Sequence, residues 1–325
     1  MTKAIRIHQY GGPEALRWED VEVGEPGAGE ALVRHNAVGL NFIDVYMRTG
    51  LYPQPSFPAG IGLEAAGVVE AVGERVDAVA VGDRVAYAGG PPGAYAETRV
   101  MPAAQLVIVP EGVDDRQAAA MMLKGMTAEY LLRRTYAVKP GDTILFRVAA
   151  GGVGLIACQW AKHLGATVIG TVGTEEKAAL AKAHGCDHPI VTAEEDVVAR
   201  VREITSGAGV PVVYDSIGKD SFEGSLDCLA PLGMMVLFGQ SSGPVPPFEI
   251  ATLGAKGSLF LTRPSLMAYN AKRADLEASA AALFAVVTGG QVKIEINQSY
   301  PLAEAARAHA DLEGRKTTGS TVLLP

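Results

Sequence analysis

Apolar positions follow two patterns along the chain. In the first third they form short runs, at residues 4–8, 31–38, 65–72, 84–87 and 106–109. Pro26-Gly27, Val81-Gly82-Asp83 and Gly89-Gly90-Pro91-Pro92-Gly93 punctuate those runs as turns. Short strands between frequent turns predict an irregular β-barrel or paired sheets. Residues 116–123 and 128–134 then read as helix. From residue 143 strands and helices alternate, with strands at 143–148, 166–172, 188–191, 210–215, 234–239 and 258–262. Helices are predicted between them at 152–163, 175–184, 194–205 and 221–229, with Val197, Val198, Val201 and Ile204 on one face of the third. Continuous apolar strands separated by helices mean a parallel sheet covered on both sides, the doubly wound α/β architecture. After residue 262 a long helix at 272–288, strands at 293–296 and 320–324 and a helix at 302–312 lack βαβ partners. The C-terminal segment is therefore expected to rejoin the first domain.

Length and composition narrow the class. A chain of 325 residues, 48 % hydrophobic and 20 % charged, suits about two domains with real cores. The net charge of −8 argues against a large nucleic-acid footprint. Cys158, Cys186 and Cys228 are too few for a disulfide framework or a four-thiolate zinc site, and suggest a reducing compartment. The start of the chain lacks a signal-peptide core, and no apolar run approaches the roughly 20 residues of a membrane span. A cytoplasmic protein that does not enter membranes is expected.

The most informative stretch is Val148-Ala149-Ala150-Gly151-Gly152-Val153-Gly154-Leu155. It follows a predicted strand and opens a helix, the context of a dinucleotide fingerprint. Gly151 lets backbone N–H groups approach a pyrophosphate, and Gly154 lets the helix pack close to the strand. About 20 residues on, an NAD-preferring fold carries a carboxylate for the ribose 2′-hydroxyl. Here that region reads Ile169-Gly170-Thr171-Val172-Gly173-Thr174, and Lys177 follows. The missing acid and the added lysine favour NADP(H). In the bland reading, Thr174 only caps a helix and Lys177 is only a solvated side chain. The cluster His184-Gly185-Cys186-Asp187-His188 has metal-ligand residue types, but it straddles a predicted helix end, and no metal site is expected there.

Several segments together resemble quinone oxidoreductases of the zeta-crystallin type, zinc-independent members of the medium-chain dehydrogenase/reductase superfamily. They are Gly39-Leu40-Asn41-Phe42-Ile43-Asp44-Val45-Tyr46, Arg48 to Pro53, Gly62 to Gly67, Leu123-Lys124-Gly125-Met126-Thr127, Ala149 to Leu155, Val213 to Ser216, Phe238 to Gly243 and Leu261 to Ser265. The resemblance runs end to end. The zinc enzymes of that superfamily carry a catalytic cysteine at the position of Asn41, a histidine at that of Leu63 and a four-cysteine lobe beyond Arg84-Val85. This chain has none of them.

The resemblance implies an α/β protein with a GroES-like catalytic domain at 1–125 and 264–325 and a Rossmann domain at 126–263. The nucleotide would lie in the cleft between them. It implies NADPH as cofactor, a small-molecule quinone as acceptor and a homodimer. Carried over by position, Asn41, Tyr46, Tyr52 and Thr127 would line the nicotinamide and acceptor pocket, with Asn41 also touching the cofactor. Gly151, Gly152, Val153, Gly154, Thr174 and Lys177 would hold the phosphates. Ser216, Phe238, Gly239, Ser241 and Arg263 would hold the rest of the cofactor, and Arg315 its adenosine end. In the blander reading the two tyrosines pack a loop, Asn41 satisfies a turn and Thr127 caps a helix. Asp44 and Glu64 read as buried acids paired with an arginine, Arg263 being the candidate. Thr192 stands where close relatives often have a tyrosine, and Arg147 where histidine or another residue is usual. Two other functions compete: an NADPH-dependent reductase of activated C=C bonds, and a secondary RNA-binding or structural role.

Overall fold

The computed structural model describes every residue, Met1–Pro325. The chain divides into two compact units: Met1–Met126 with Asn270–Thr288 and Ile294–Pro325, and Thr127–Tyr269 with Gly289–Lys293.

The first unit opens with β1 (Thr2–Ile7), β2 (Arg17–Val21) and β3 (Glu30–Leu40), then α1 (Phe42–Thr49), β4 (Ala59–Gly60) and β5 (Glu64–Val72). It continues with β6 (Arg84–Ala88), β7 (Thr98–Pro102), β8 (Val107–Ile108) and α2 (Asp115–Tyr130), inside which the boundary between units falls. The second unit holds β9 (Thr143–Phe146), α3 (Gly152–His163), β10 (Thr167–Val172), α4 (Glu175–Ala183), β11 (His188–Val191) and α5 (Val197–Ile204). It adds β12 (Val210–Asp215), α6 (Phe222–Asp227), β13 (Leu229–Leu237), α7 (Ala251–Ala255), β14 (Phe260–Thr262) and α8 (Leu266–Tyr269). Then come α9 (Arg273–Thr288), β15 (Ile296–Pro301), α10 (Ala305–Glu313) and β16 (Ser320–Leu324).

In the second unit a six-stranded parallel sheet has the order β11-β10-β9-β12-β13-β14. Counting β9 as first, this is the dinucleotide-binding order 3-2-1-4-5-6, and it reverses between β9 and β12. Ligands of such sheets bind at the carboxyl ends of the strands on either side of that reversal. Val201, Val210, Val213 and Phe222 are buried in the core beneath, each contributing about 1.5–3 kcal/mol by leaving water. Val197, Val198 and Ile204 pack against it, as the apolar face of α5 predicts.

In the first unit β15-β16-β3-β5-β6-β8 form one path, with β7 also on β3, and β2-β1-β4 form a second sheet. The C-terminal strand β16 lies against β3. No helix is long and apolar enough to cross a membrane.

Local differences from the sequence reading have physical causes. The two helices expected at 116–123 and 128–134 are one helix, α2, followed by a π turn at Leu131–Thr135. Gly125 lies inside it, at a point where a Cβ would meet the Leu283 side chain of α9 at 2.4 Å. Thr127 therefore lies in a helix interior and caps nothing. The strand expected at 293–296 falls at Ile296–Pro301 instead. Lys293 is held by Gln159, through its N–H to Oε1 (2.9 Å) and its carbonyl from Nε2 (3.0 Å). The helix expected from 194 starts at Val197, where the Asp196 side chain accepts the Ala199 N–H. β2, β7 and α1 were not anticipated.

Candidate functional site

In the second unit the site grows from the end of β9. The strand stops at Phe146, two residues early, because Val148 turns into the left-handed region at φ 62°. A β-branched residue there is strained, at a cost of about 1–3 kcal/mol, and surrounding bonds must hold it. Arg147 N–H donates to Tyr214 O (2.9 Å), Ala149 N–H to Thr171 O (2.9 Å) and Gly151 N–H to Val148 O (3.0 Å). α3 begins at Gly152 with Gly151 as N-cap, so the first N–H groups of the helix have no partner within the helix. Gly151, Gly152 and Val153 are part-exposed and Gly154 is buried. A Cβ on Gly154 would lie 2.3 Å from Val148 O. A loop this close-packed, with free N–H groups on its open side, fits a pyrophosphate.

The neighbouring strand ends complete this edge. Thr174 caps α4, its Oγ1 accepting the Lys177 N–H at 3.4 Å. Its side chain also bonds Glu176, which holds that carboxyl below its ordinary value. The first turn of α4 thus presents Glu175 and Glu176 beside Lys177. At the ends of β12 and β13, Phe238 N–H donates to Asp215 O (2.8 Å) and Ser241 N–H to Ser216 O (3.0 Å). Gly239 lies so close that a Cβ would be 2.7 Å from Ser216 O. Phe238 packs on Phe146 with centroids 5.6 Å apart. Arg263 is exposed on the segment after β14 and makes a 3.4 Å bond to Pro264 O. Thr192 bonds Val172 O through both its N–H (2.9 Å) and its hydroxyl (3.1 Å).

Asp215 was missed as a residue of this edge. Its Oδ1 accepts the N–H groups of Ile217 (2.7 Å) and Gly218 (3.2 Å). Its Oδ2 accepts the hydroxyls of Ser221 and Ser225, both at 2.6 Å. Arg147 Nε reaches Ser225 Oγ at 3.1 Å. The buried acid ties β12 to α6 and, through Ser225, to the residue that opens the glycine loop. An aspartate at the end of a strand, followed by two serines on the next helix turn, was its only signal.

In the first unit Asn41 caps α1 and is buried. Tyr46 and Tyr52 are in edge contact with centroids 5.3 Å apart, and Tyr52 N–H donates to Tyr46 O at 3.0 Å. Phe42 extends the group, 5.5 Å from Tyr46. Helix α1 ends at Gly50, whose φ of 84° turns the chain into the Tyr52 loop. Asn41, Tyr46 and Tyr52 are thus gathered on one short helix and its exit. Thr127 belongs to the second unit, on α2. Arg315 follows α10 in the first unit, in the left-handed region at φ 59°.

The expected partner of the two buried acids is corrected. Glu64 is fully buried and accepts from Asn41 Nδ2 (2.7 Å), Leu123 N–H (2.7 Å) and Lys124 Nζ (3.1 Å). Its cation is Lys124, not Arg263. Asp44 accepts from Asn41 N–H and the Tyr95 hydroxyl, both at 2.9 Å. The signal was present in Leu123-Lys124-Gly125, but nothing in the spacing brings residue 124 to residue 64. No group of three or more His, Cys, Asp or Glu side chains is placed to hold a metal ion. In the segment 184–188, Asp187 pairs with Lys162 (2.5 Å) and His184 bonds Leu180 O (2.8 Å). Cys158, Cys186 and Cys228 are free and buried.

A GroES-like unit and a 3-2-1-4-5-6 nucleotide sheet define a medium-chain dehydrogenase/reductase, and comparison with known proteins agrees. Residues 27–111 match the alcohol dehydrogenase GroES-like domain, and residues 152–283 the family described as zinc-binding dehydrogenase. A quinone oxidoreductase of Pseudomonas aeruginosa is 55 % identical, with 100 % of both chains covered. A solved structure of Escherichia coli quinone oxidoreductase complexed with NADPH superposes with a TM-score of 0.98 at 49 % identity, covering 99 % of this chain and 100 % of that one. A 2-haloacrylate reductase of Burkholderia is 48 % identical over 100 % of this chain and 99 % of its own. The chain belongs to the zinc-independent quinone oxidoreductases of the medium-chain superfamily.

Proposed function

We propose that the protein reduces quinones at the expense of NADPH. The observation that carries this is the end-to-end similarity to quinone oxidoreductases, joined to a glycine loop built for a pyrophosphate. NADPH, when bound, supplies the hydride. The N–H groups of Gly152 and Val153, with Gly151 and Gly154 giving close approach, hold its pyrophosphate. Thr174 and Lys177 take the 2′-phosphate, and Ser216, Phe238, Gly239, Ser241, Arg263 and Arg315 hold the remainder. Asn41, Tyr46, Tyr52 and Thr127 serve the nicotinamide and the acceptor. A quinone is already electrophilic, so proximity and orientation are the main requirement. Tyrosine hydroxyls donate to the acceptor oxygen as it becomes negative.

Acceptor-resolved NADPH oxidation by the purified chain tests this reading. Turnover is expected with benzoquinone and phenanthrenequinone. Turnover confined to enones or haloacrylates sinks the quinone assignment and favours the second reading, reduction of activated C=C bonds. That second reading is supported by the 2-haloacrylate reductase among the relatives.

Lys177→Ala is expected to raise the Kd for NADPH by about 10- to 100-fold, the value of one charge-assisted bond. The Kd for NADH should stay nearly unchanged, and isothermal titration with both nucleotides decides. Equal losses for the two would remove Lys177 from the 2′-phosphate site.

The homodimer belongs to the same proposal. β14 is an open sheet edge, with Phe260 57 % exposed, and the second unit also exposes Leu232 and Ile250. Sedimentation equilibrium showing a monomer at micromolar concentration would contradict it. The three free cysteines suit the reducing cytoplasm.

A further inference from the structure

Asn41 is held at two points. Its side-chain Nδ2 donates to Glu64 and its main-chain N–H to Asp44. Behind Asp44 runs a buried chain of side chains. Tyr95 OH lies 2.9 Å from Asp44 Oδ2 and 3.0 Å from His309 Nε2. His309 Nδ1 lies 3.1 Å from Arg48 Nη1. Arg48 pairs with Glu313 at 2.7 Å and donates through Nε to Gly11 O at 3.1 Å. Asp44, Arg48, Tyr95 and His309 are all fully buried. Tyr95 is pinned over Gly62, where a Cβ would meet its ring at 2.3 Å.

The direction of each bond follows from chemistry. A guanidinium only donates, so Arg48 N–H points at His309 Nδ1. Burial first, and the Arg48 charge second, push the His309 pKa down to about 3, so the ring is neutral. Its one proton then sits on Nε2 and points at Tyr95, whose hydroxyl proton points at Asp44. Every donor in the chain aims at the carboxyl. Reversal would put two donors face to face at His309 Nδ1, so the chain carries no proton inward. What it does is stabilise a carboxylate.

We propose that Asp44 is a positioning residue for quinone reduction. In its ionised form, held by the one-way chain Arg48–His309–Tyr95, it fixes Asn41 for the acceptor. The inference rests on the reading of Asn41 as an acceptor residue. Asp44 Oδ2 takes both donors, while Oδ1 is buried with no partner. A proton on Oδ1 finds no acceptor, and a proton on Oδ2 displaces Asn41 N–H or Tyr95. In the first case the neutral carboxyl accepts the Asn41 N–H more weakly than the carboxylate does, and in the second it loses a donor, so protonation weakens the hold on Asn41. Burial pushes the Asp44 pKa up to about 7, against the pull of Asn41 N–H, Tyr95 and the Lys124 charge, and Glu64 raises it further. The groups acting on Asp44 are Asn41 at the cap of α1, Tyr95 from the loop before β7, Lys124 from α2 and Glu64 from β5, while Arg48 from α1 and His309 from α10 reach it through Tyr95. The carboxylate is needed, so activity falls as pH falls through the folded pKa.

The test is the pH profile of NADPH-dependent benzoquinone reduction by the full chain, from about pH 6 to about pH 9. The wild-type protein should show an acid limb near 7. Asp44→Asn, a close isostere, should abolish that limb and lower kcat and kcat/KM together by about 10- to 100-fold on the alkaline side. Tyr95→Phe removes one donor to the carboxylate and should move the limb up by about one pH unit. It also serves if Asp44→Asn fails to fold by circular dichroism. An Asp44→Asn profile like that of the wild type, or an unmoved limb in Tyr95→Phe, overturns the inference while quinone turnover itself stands. A wild-type chain without quinone turnover overturns the functional reading and this inference with it.

Discussion

Gly154→Val is expected to abolish NADPH binding and to lower the melting temperature of the protein. A Cβ at this position would lie 2.3 Å from Val148 O and 2.6 Å from Ala149 O, both backbone atoms. Neither can retreat. Val148 already sits at φ 62°, Val148 O accepts the Gly151 N–H, and Ala149 N–H is tied to Thr171 O. Helix α3 must therefore move away from β9, carrying the N–H groups of Gly152 and Val153 with it. Overpacking of this kind costs about 1–3 kcal/mol, and the valine branches add to it. Titration calorimetry should detect no binding, a loss of at least roughly 100-fold in affinity. Gly254→Ala is the control: nothing lies within 4 Å of its Cβ and it sits in helix α7. It should leave nucleotide binding alone and stabilise slightly. Wild-type affinity in Gly154→Val would show that the helix start does not hold the cofactor.

Lys124→Met is expected to destabilise the protein by about 3–5 kcal/mol, the usual cost of removing one partner from a buried ion pair. Glu64 has no accessible surface and the Lys124 side chain is 7 % exposed. Without the ammonium, Glu64 keeps two N–H donors but no countercharge. It is packed against Gly39, where a Cβ would meet its Oε2 at 2.2 Å. Glu64→Gln on top of Lys124→Met removes the orphaned charge and should recover most of the loss. Denaturant unfolding of wild type, single and double variants measures this. A Lys124→Met protein as stable as wild type, or a double variant no better than the single, refutes the coupling. The lysine also determines how firmly Glu64 holds the Asn41 amide, so quinone turnover should fall alongside stability in the single variant.

Much of the local structure of the candidate nucleotide edge could be read from residue order, because its parts are consecutive. A strand, a tight glycine turn and a helix start lie within residues 143–163 and fold against one another locally. Thr174 as a helix cap and Lys177 one turn later were visible for the same reason. Asp215 was missed because its partners are backbone N–H groups and serine hydroxyls, which carry no spacing signature. Helix α1 was missed because it is a short helix between a strand and a loop. Its start depends on Asp44 accepting the Asn41 N–H, and its stop on Gly50 at positive φ. The misassigned strand at 293–296 shows the limit of apolar alternation. Val292 and Ile294 are buried, yet Lys293 bonds to a glutamine side chain and the ladder begins only at Ile296.

The sequence alone determined the alternation of apolar strands and helices, and so the doubly wound sheet. It also determined the glycines at the close approach and the absence of cysteine where zinc relatives carry it. These follow from local periodicity, steric size and side-chain chemistry, all properties of neighbouring residues. Only the tertiary structure decided which charges meet. Glu64 chose Lys124 rather than an arginine, and Arg48 met His309 across 261 positions of chain. The desolvation that drives such pairings depends on what is packed around each group after folding. The chain from Arg48 to Asn41 therefore exists only in the folded protein, although each of its residues stands openly in the sequence.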